Sequence, residues 1–353
     1  VTAFLIAAQR SAVVPRGGAF NRLSIEDLGA PVLLAALAAC GLGPGAVDEV
    51  IVSNALGAGG NPARRVALAA GLPDRVAGLT IDRQCAGGLD AILLARALVA
   101  SGAARVVVAG GVESYSRRPM RWRTDPDGGP SVLYDQAAFT PWPDRDPGMA
   151  EAAADLAGRS GISRIRQDRW AIESHDRALR TDFSAEIVPI AGQGRDAFTR
   201  RLTPGVAARV PGIVGPITAA NAAVAADGAA FVVVSATPRG QCLRIVAGAT
   251  RGADPLQPGL SPLPAIAAVG GAAGLTVAEV MEAYAVQAIA CVEGARIDPA
   301  IVNPGGGALA RGHPIGASGA ILAVRLYHQL QRGRGLAAIA AAGGVGTALL
   351  VEA

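Results

Sequence analysis

No lysine occurs in the 353 residues; all 32 basic side chains are arginine, set against 28 acidic ones for a net charge of +4. We read this bias as base composition rather than chemistry. The arginines are interleaved with acids, and no basic block with aromatic residues stands out, which excludes nucleic acid as a partner. Aromatics make up only 4% while hydrophobic residues reach 51%, so the core is built from Ala, Val, Leu and Ile. Cysteine is scarce: Cys40, Cys85, Cys242 and Cys291, with no Cys-x-x-Cys pair. That spacing excludes a structural zinc site, and no metal is expected. No apolar run is long enough to cross a membrane without a glycine, proline or charge. The opening residues 1–10 lack a basic leader region and read as a strand, so the expected location is cytoplasmic, away from membranes.

What the chain does have is glycine, 46 residues of it. The densest stretch is Asn303–Gly319, Asn-Pro-Gly-Gly-Gly-Ala-Leu-Ala-Arg-Gly-His-Pro-Ile-Gly-Ala-Ser-Gly. It brackets one histidine, His313, between Gly312 and Pro314. Pro314 fixes the backbone after the imidazole, so His313 leaves a rigid turn. The residues after Ser318 read as a buried helix. The other histidines, His175 and His328, lie in helical patterns and read as structural or exposed.

The rest alternates strands and helices. Strands are expected at 1–9, 48–53, 78–84, 105–109, 229–235, 243–249, 279–284, 301–303, 337–341 and 347–351. Helices are expected at 24–40, 63–70, 89–101, 149–157, 163–180, 261–270 and 285–294. Ser24 can cap the first helix, with Glu26 and Asp27 at its positive end. The strand at 105–109 is read as ending in Gly110-Gly111-Val112-Glu113-Ser114. One plan occurs twice: Cys85-Ala-Gly-Gly, a helix, a strand and Gly110-Gly111 recur as Ile315-Gly-Ala-Ser-Gly, a helix, a strand and Gly343-Gly344. Residues 1–116 and 216–238 form one half and 239–353 the other. Residues 117–215 are an inserted, more polar unit, rich in Arg, Asp, Trp and Pro. Two similar α/β halves would share a central layer of helices.

Cys85 ends a strand and begins a helix, where the helix dipole lowers a thiol pKa and sharpens the nucleophile. Cys85 and His313 occupy corresponding turns of the two halves, so the pseudo-two-fold brings them together. His313 then accepts the thiol proton. Backbone N–H groups at Cys85 and Ala342 form an oxyanion site. Cys40, Cys242 and Cys291 fall in apolar segments and read as core.

These segments resemble the thiolase family. Arg83–Ala91 is similar to its nucleophile segment and Asn303–Gly319 to its Gly-His-Pro motif. Gly110–Ser114, Thr218–Ala222 and Asp227–Ala230 match as well. The resemblance implies a duplicated, five-layered αβαβα core with an inserted loop domain that covers coenzyme A. It implies a Cys85 acylated by acyl-CoA with help from His313, coenzyme A as substrate and not as a resident cofactor, and a homodimer or homotetramer. It also suggests Met149, Ala247, Arg164 and Arg166 as coenzyme A contacts. Arg117, Arg118, Arg121, Arg123 and Arg169 are further arginines of the insertion that suit phosphate.

The departures bear on function. Ala340 stands where the family carries its second catalytic cysteine, the base for α-proton removal. Met281 replaces the Asn of the Asn-Glu-Ala-Phe motif, which reads Met281-Glu282-Ala283-Tyr284. Gly148 precedes Met149 where many members carry a histidine, and the insertion looks shortened. Glu282 and Tyr284 are conceivable substitutes for the base. Three readings follow: a thiolase-type acyl-CoA C-acyltransferase with altered chemistry; an enzyme that passes the acyl group from Cys85 to water or another acceptor needing no enolate; and a non-catalytic acyl-CoA-binding partner subunit.

Overall fold

The computed structural model describes residues 1–57 and 59–353. Strands β1 (Phe4–Ser11), β2 (Glu49–Ser53), β3 (Leu79–Ile81), β4 (Val106–Glu113) and β5 (Ala226–Ser235) form the first half's sheet, in the order β3-β2-β4-β5-β1. Strands β6 (Leu243–Gly252), β7 (Leu275–Val280), β8 (Arg334–Ala341) and β9 (Val345–Glu352) form the second, in the order β7-β8-β9-β6. The first half has two parallel pairs and the second has one, each followed by antiparallel neighbours. The sheets touch edge to edge where Phe4 and Leu5 pair with Arg244 and Leu243.

Helices α1 (Ile25–Ala39) and α2 (Pro62–Ala69) cover the outside of the first sheet. Helix α1 starts on a capping box, in which Ser24 and Asp27 satisfy each other's backbone N–H. Helix α3 (Gly87–Ser101) lies between the sheets; counted with the 3-10 turn before it, Gln84–Ser101 is an 18-residue segment apolar enough by composition to cross a membrane, and it is half buried within the fold. In the insertion, α4 (Met149–Ser160) and α5 (Arg164–Arg180) pack on the second half through Leu156, Ile162 and Ile289. Helices α6 (Pro262–Ala268) and α7 (Ala285–Gly294) lie outside the second sheet, and α8 (Ile315–Gln329) joins α3 in the middle. The layers therefore run helix, sheet, helix pair, sheet, helix. The central core joins Leu89 and Ile92 of α3 and Leu322 and Leu326 of α8 to Val232 and Ile339 from the two sheets.

Several expectations need correction. Gly110 and Gly111 lie inside β4, which continues past Ala109 to Glu113. A Cβ on Gly110 would come within 2.0 Å of the Ala230 carbonyl, and one on Gly111 within 2.0 Å of the Gly316 carbonyl. These glycines serve close approach rather than a bend. The strand expected at 279–284 is β7, which ends at Val280; residues 301–303 are no strand but the end of a 3-10 turn and the residues after it. Pro299 suits the first position of that turn.

The contact that builds the site is between α3 and α8. A Cβ on Gly88 would lie 2.5 Å from the Ala320 nitrogen, and one on Gly319 would lie 2.5 Å from the Leu89 nitrogen. The two helix starts thus meet backbone to backbone. Gly319→Ala is expected to destabilise the fold by about 1–3 kcal/mol, the usual cost of overpacking. Urea unfolding measures it, and an unchanged midpoint would show that the helices can part freely.

Candidate active site

Cys85 enters the site through a strained turn. After β3, Gln84 takes φ +49°, a left-handed conformation costing roughly 1–2 kcal/mol outside glycine. Its N–H donates to Asp82 Oδ1 at 2.8 Å, which holds the turn. Gln84–Ala86 form one 3-10 turn before α3 begins, and the thiol faces a cavity of about 280 Å³.

His313 arrives from the other half. Gly312 has φ +111°, and a Cβ there would press on Ala226 and Val13, so glycine is required. The His313 N–H donates to the Val224 carbonyl at 2.8 Å. The start of α8 is tied down by Glu113, whose carboxylate accepts from the N–H groups of Gly316 (2.9 Å), Ala55 (3.1 Å) and Leu56 (3.2 Å) and from the Asn54 amide (2.8 Å). Burial pushes the Glu113 carboxyl up to about 7.

His313 Nε2 lies 3.2 Å from Cys85 Sγ, and Nδ1 lies 2.6 Å from Ser318 Oγ. Ser318 donates its own hydrogen to the Pro314 carbonyl at 3.0 Å. Its oxygen is therefore left to accept, so Nδ1 carries the imidazole proton and the lone pair of Nε2 faces the thiol. Burial pushes His313 down to about 4. Burial likewise pushes the Cys85 thiol up to about 12, against the pull of the backbone N–H groups of Cys85 and Ala342. This reverses the lowered thiol pKa expected from the helix start: desolvation outweighs the dipole. The resting pair is a neutral thiol and a neutral imidazole.

Ala340, Ala341 and Ala342 line the cavity with Cys85, His313 and Tyr284. The Ala340 methyl offers no proton acceptor. Met281 is buried in the central core rather than among the lining residues. Glu282 does not substitute for a base: it turns away and accepts from Trp170 Nε1 (3.0 Å), Ser174 Oγ (2.8 Å), Asn303 Nδ2 (2.9 Å) and the Leu309 N–H (3.2 Å). Burial pushes Tyr284 up to about 12, so it holds its proton at neutral pH.

Of the suggested coenzyme A contacts, only Met149 lines the cavity. Arg164 is spent on Asp168 and on the carbonyls of Ala207 and Val210. Arg166 pairs with Glu293, and Ala247 sits in β6 opposite Leu350. Arg117 donates to the Arg22 carbonyl, Arg118 bonds Asp135, Arg123 and Arg169 are exposed, and Arg121 lines the cavity. Cys40, Cys242 and Cys291 are absent from the lining, and Cys291 donates to the Gly259 carbonyl. His175 is fully buried, and His328 donates to the Ala8 carbonyl at 2.9 Å. Ser318 and Glu113 lie within the sequence motifs but carry no role legible there. A hydroxyl one turn into a glycine-rich helix start was the available signal for Ser318.

The chain matches the description "Thiolase, N-terminal domain" over residues 3–237 and "Thiolase, C-terminal domain" over residues 241–353. It is 36% identical to an acetyl-CoA acetyltransferase of Cupriavidus necator over 386 residues, covering 99% of this chain and 98% of the relative. The structure of the Bacillus anthracis acetyl-CoA acetyltransferase superposes with a TM-score of 0.91 at 32% identity, covering 99% of this chain and 98% of that one. That of the Acat5 thiolase from Ascaris suum in complex with coenzyme A also gives 0.91, at 29% identity and with both chains fully covered. With both halves matched in order and the whole length covered, the chain belongs to the thiolase family.

Proposed function

We propose that the protein is an acyl-CoA acyltransferase that works through an acyl-Cys85 intermediate and lacks the base for ordinary carbon–carbon chemistry. The observation that carries this reading is the Cys85–His313 pair at 3.2 Å, facing a cavity that Ala340 also lines. The coenzyme A bound to the Ascaris suum relative supports acyl-CoA as the donor.

In the first half-reaction, His313 Nε2 takes the Sγ proton as sulfur attacks the thioester carbonyl. The oxygen becomes an oxyanion, stabilised by the N–H groups of Cys85 and Ala342. The bond from carbon to the coenzyme A sulfur then breaks, and His313 returns the proton to that sulfur. In the second, condensation would require a base to remove an α-proton of acetyl-CoA. The Ala340 methyl cannot, and Met281 offers no hydrogen-bonding side chain where the family motif carries an Asn. An acceptor that supplies its own nucleophilic lone pair needs neither, because His313 can take its proton. These features favour transfer to water, an alcohol, an amine or a comparable acceptor.

Intact mass after incubation with acetyl-CoA and longer acyl-CoAs tests the first half. One acyl adduct is expected on the wild type and none on Cys85→Ser. Absence of an adduct with every donor would sink the enzymatic readings and leave a binding subunit. Thiolysis of acetoacetyl-CoA at rates ordinary for the family would sink the altered chemistry alone.

A further inference from the structure

The cavity walls around Cys85 are largely apolar: Leu56, Phe139, Met149, Ala153, Leu156 and Ala341. A plain aliphatic acyl group needs nothing more. Yet Arg121 lines the same cavity, together with Tyr115 and Gln136. Arg121 is half-buried, and its Nη2 donates to the Ala55 carbonyl at 3.2 Å. Among the described residues it makes no ion pair.

The one carboxylate in the lining, Asp135, is already bonded to Arg118. Arg118 and Arg16 also stack on the Tyr115 ring, their guanidinium carbons 4.8 Å and 5.6 Å from its centroid. Arg16, Arg118 and Arg121 all bear on that one carboxylate, and Arg121 is the one of the three that lines the cavity. Bonded to Arg118 and shared with Arg16, Asp135 offsets only part of the cost of drawing the Arg121 guanidinium partly out of water. Its planar fork matches a carboxylate through two parallel bonds.

We propose that the cavity takes an acyl group ending in a carboxylate, a dicarboxylic acid joined to coenzyme A at one end, and that Arg121 reads the free end. This deepens the acyl-enzyme reading and rests on it for the role of the bound acyl group. A coenzyme A phosphate carries similar anionic chemistry, and the test separates the two.

The Cys85→Ala protein cannot be acylated, so binding can be measured without turnover. Calorimetry should compare succinyl-, glutaryl- and adipoyl-CoA with butyryl-, pentanoyl- and hexanoyl-CoA, matched by carbon number. At one or more lengths the carboxylate member is expected to bind about tenfold tighter, a difference of about 1.4 kcal/mol. Arg121→Gln in the same background is expected to bring that ratio near one, and Arg121→Lys to keep part of it. No carboxylate preference at any length would overturn the proposal. So would a ratio unmoved by Arg121→Gln, or an equal loss for both members of every pair, which would assign Arg121 to a phosphate. A carboxylate preference with no adduct on wild-type Cys85 would uphold this proposal's recognition and sink the acyl-enzyme reading instead.

Discussion

His313→Gln is expected to slow acylation of Cys85 by about 10²–10⁴-fold, the usual contribution of a positioned general base. The reason is the resting state of the pair. With the thiol pushed up to about 12 and the imidazole down to about 4, no thiolate waits for substrate. The proton must move as the bond forms, and His313 Nε2 is the acceptor in place at 3.2 Å. The wild-type rate should accordingly be flat through the neutral range. It should fall only as pH drops towards the His313 value, where the imidazole takes a proton and loses its lone pair. A preformed thiolate–imidazolium pair would instead show a step near neutrality. Rapid-quench mass spectrometry of the acyl adduct measures both. A His313→Gln rate within tenfold of wild type would remove His313 from the mechanism.

The second large effect runs the other way. Ala340→Cys combined with Met281→Asn is expected to raise acetoacetyl-CoA thiolysis by about 10²–10⁴-fold, again the scale of one general base. Ala340 lines the same cavity as Cys85, so a thiol there would face the same space. Met281 is harder to change. It sits 1% exposed in the central core, and an unsatisfied amide there would cost about 1–3 kcal/mol. Ala340→Cys alone should therefore give part of the gain in a sturdier protein. Spectrophotometric thiolysis, with thermal unfolding alongside, separates lost stability from absent chemistry. A stable, acylating double variant with no gain would mean that the cavity does not admit acetoacetyl-CoA.

Local chemistry made much of this legible in the sequence. Ser24 and Asp27 announced the start of α1, and the 285–294 helix has the observed bounds. The glycine stretch pointed to His313, and the internal repeat brought it opposite Cys85. What was not legible depends on contacts distant in sequence. Gly110 and Gly111 look like the end of a strand until the Ala230 and Gly316 carbonyls are beside them. Arg164 and Arg121 look alike in sequence; only packing gives one to Asp168 and leaves the other in the cavity. The thiol pKa was misjudged because a helix start is visible in sequence, whereas the surrounding desolvation is not.

The Gly88–Gly319 contact has a consequence for how such a protein can change. The separation of nucleophile and base is set by two main chains in van der Waals contact, so it does not depend on which side chains surround it. Most of the wall that meets the substrate comes from other segments, including Arg121, Phe139, Met149 and Leu156 of the insertion. Substitutions there can alter which acyl group is accepted while the spacing of sulfur and imidazole is inherited intact. Reactivity and selectivity are thus separable traits here.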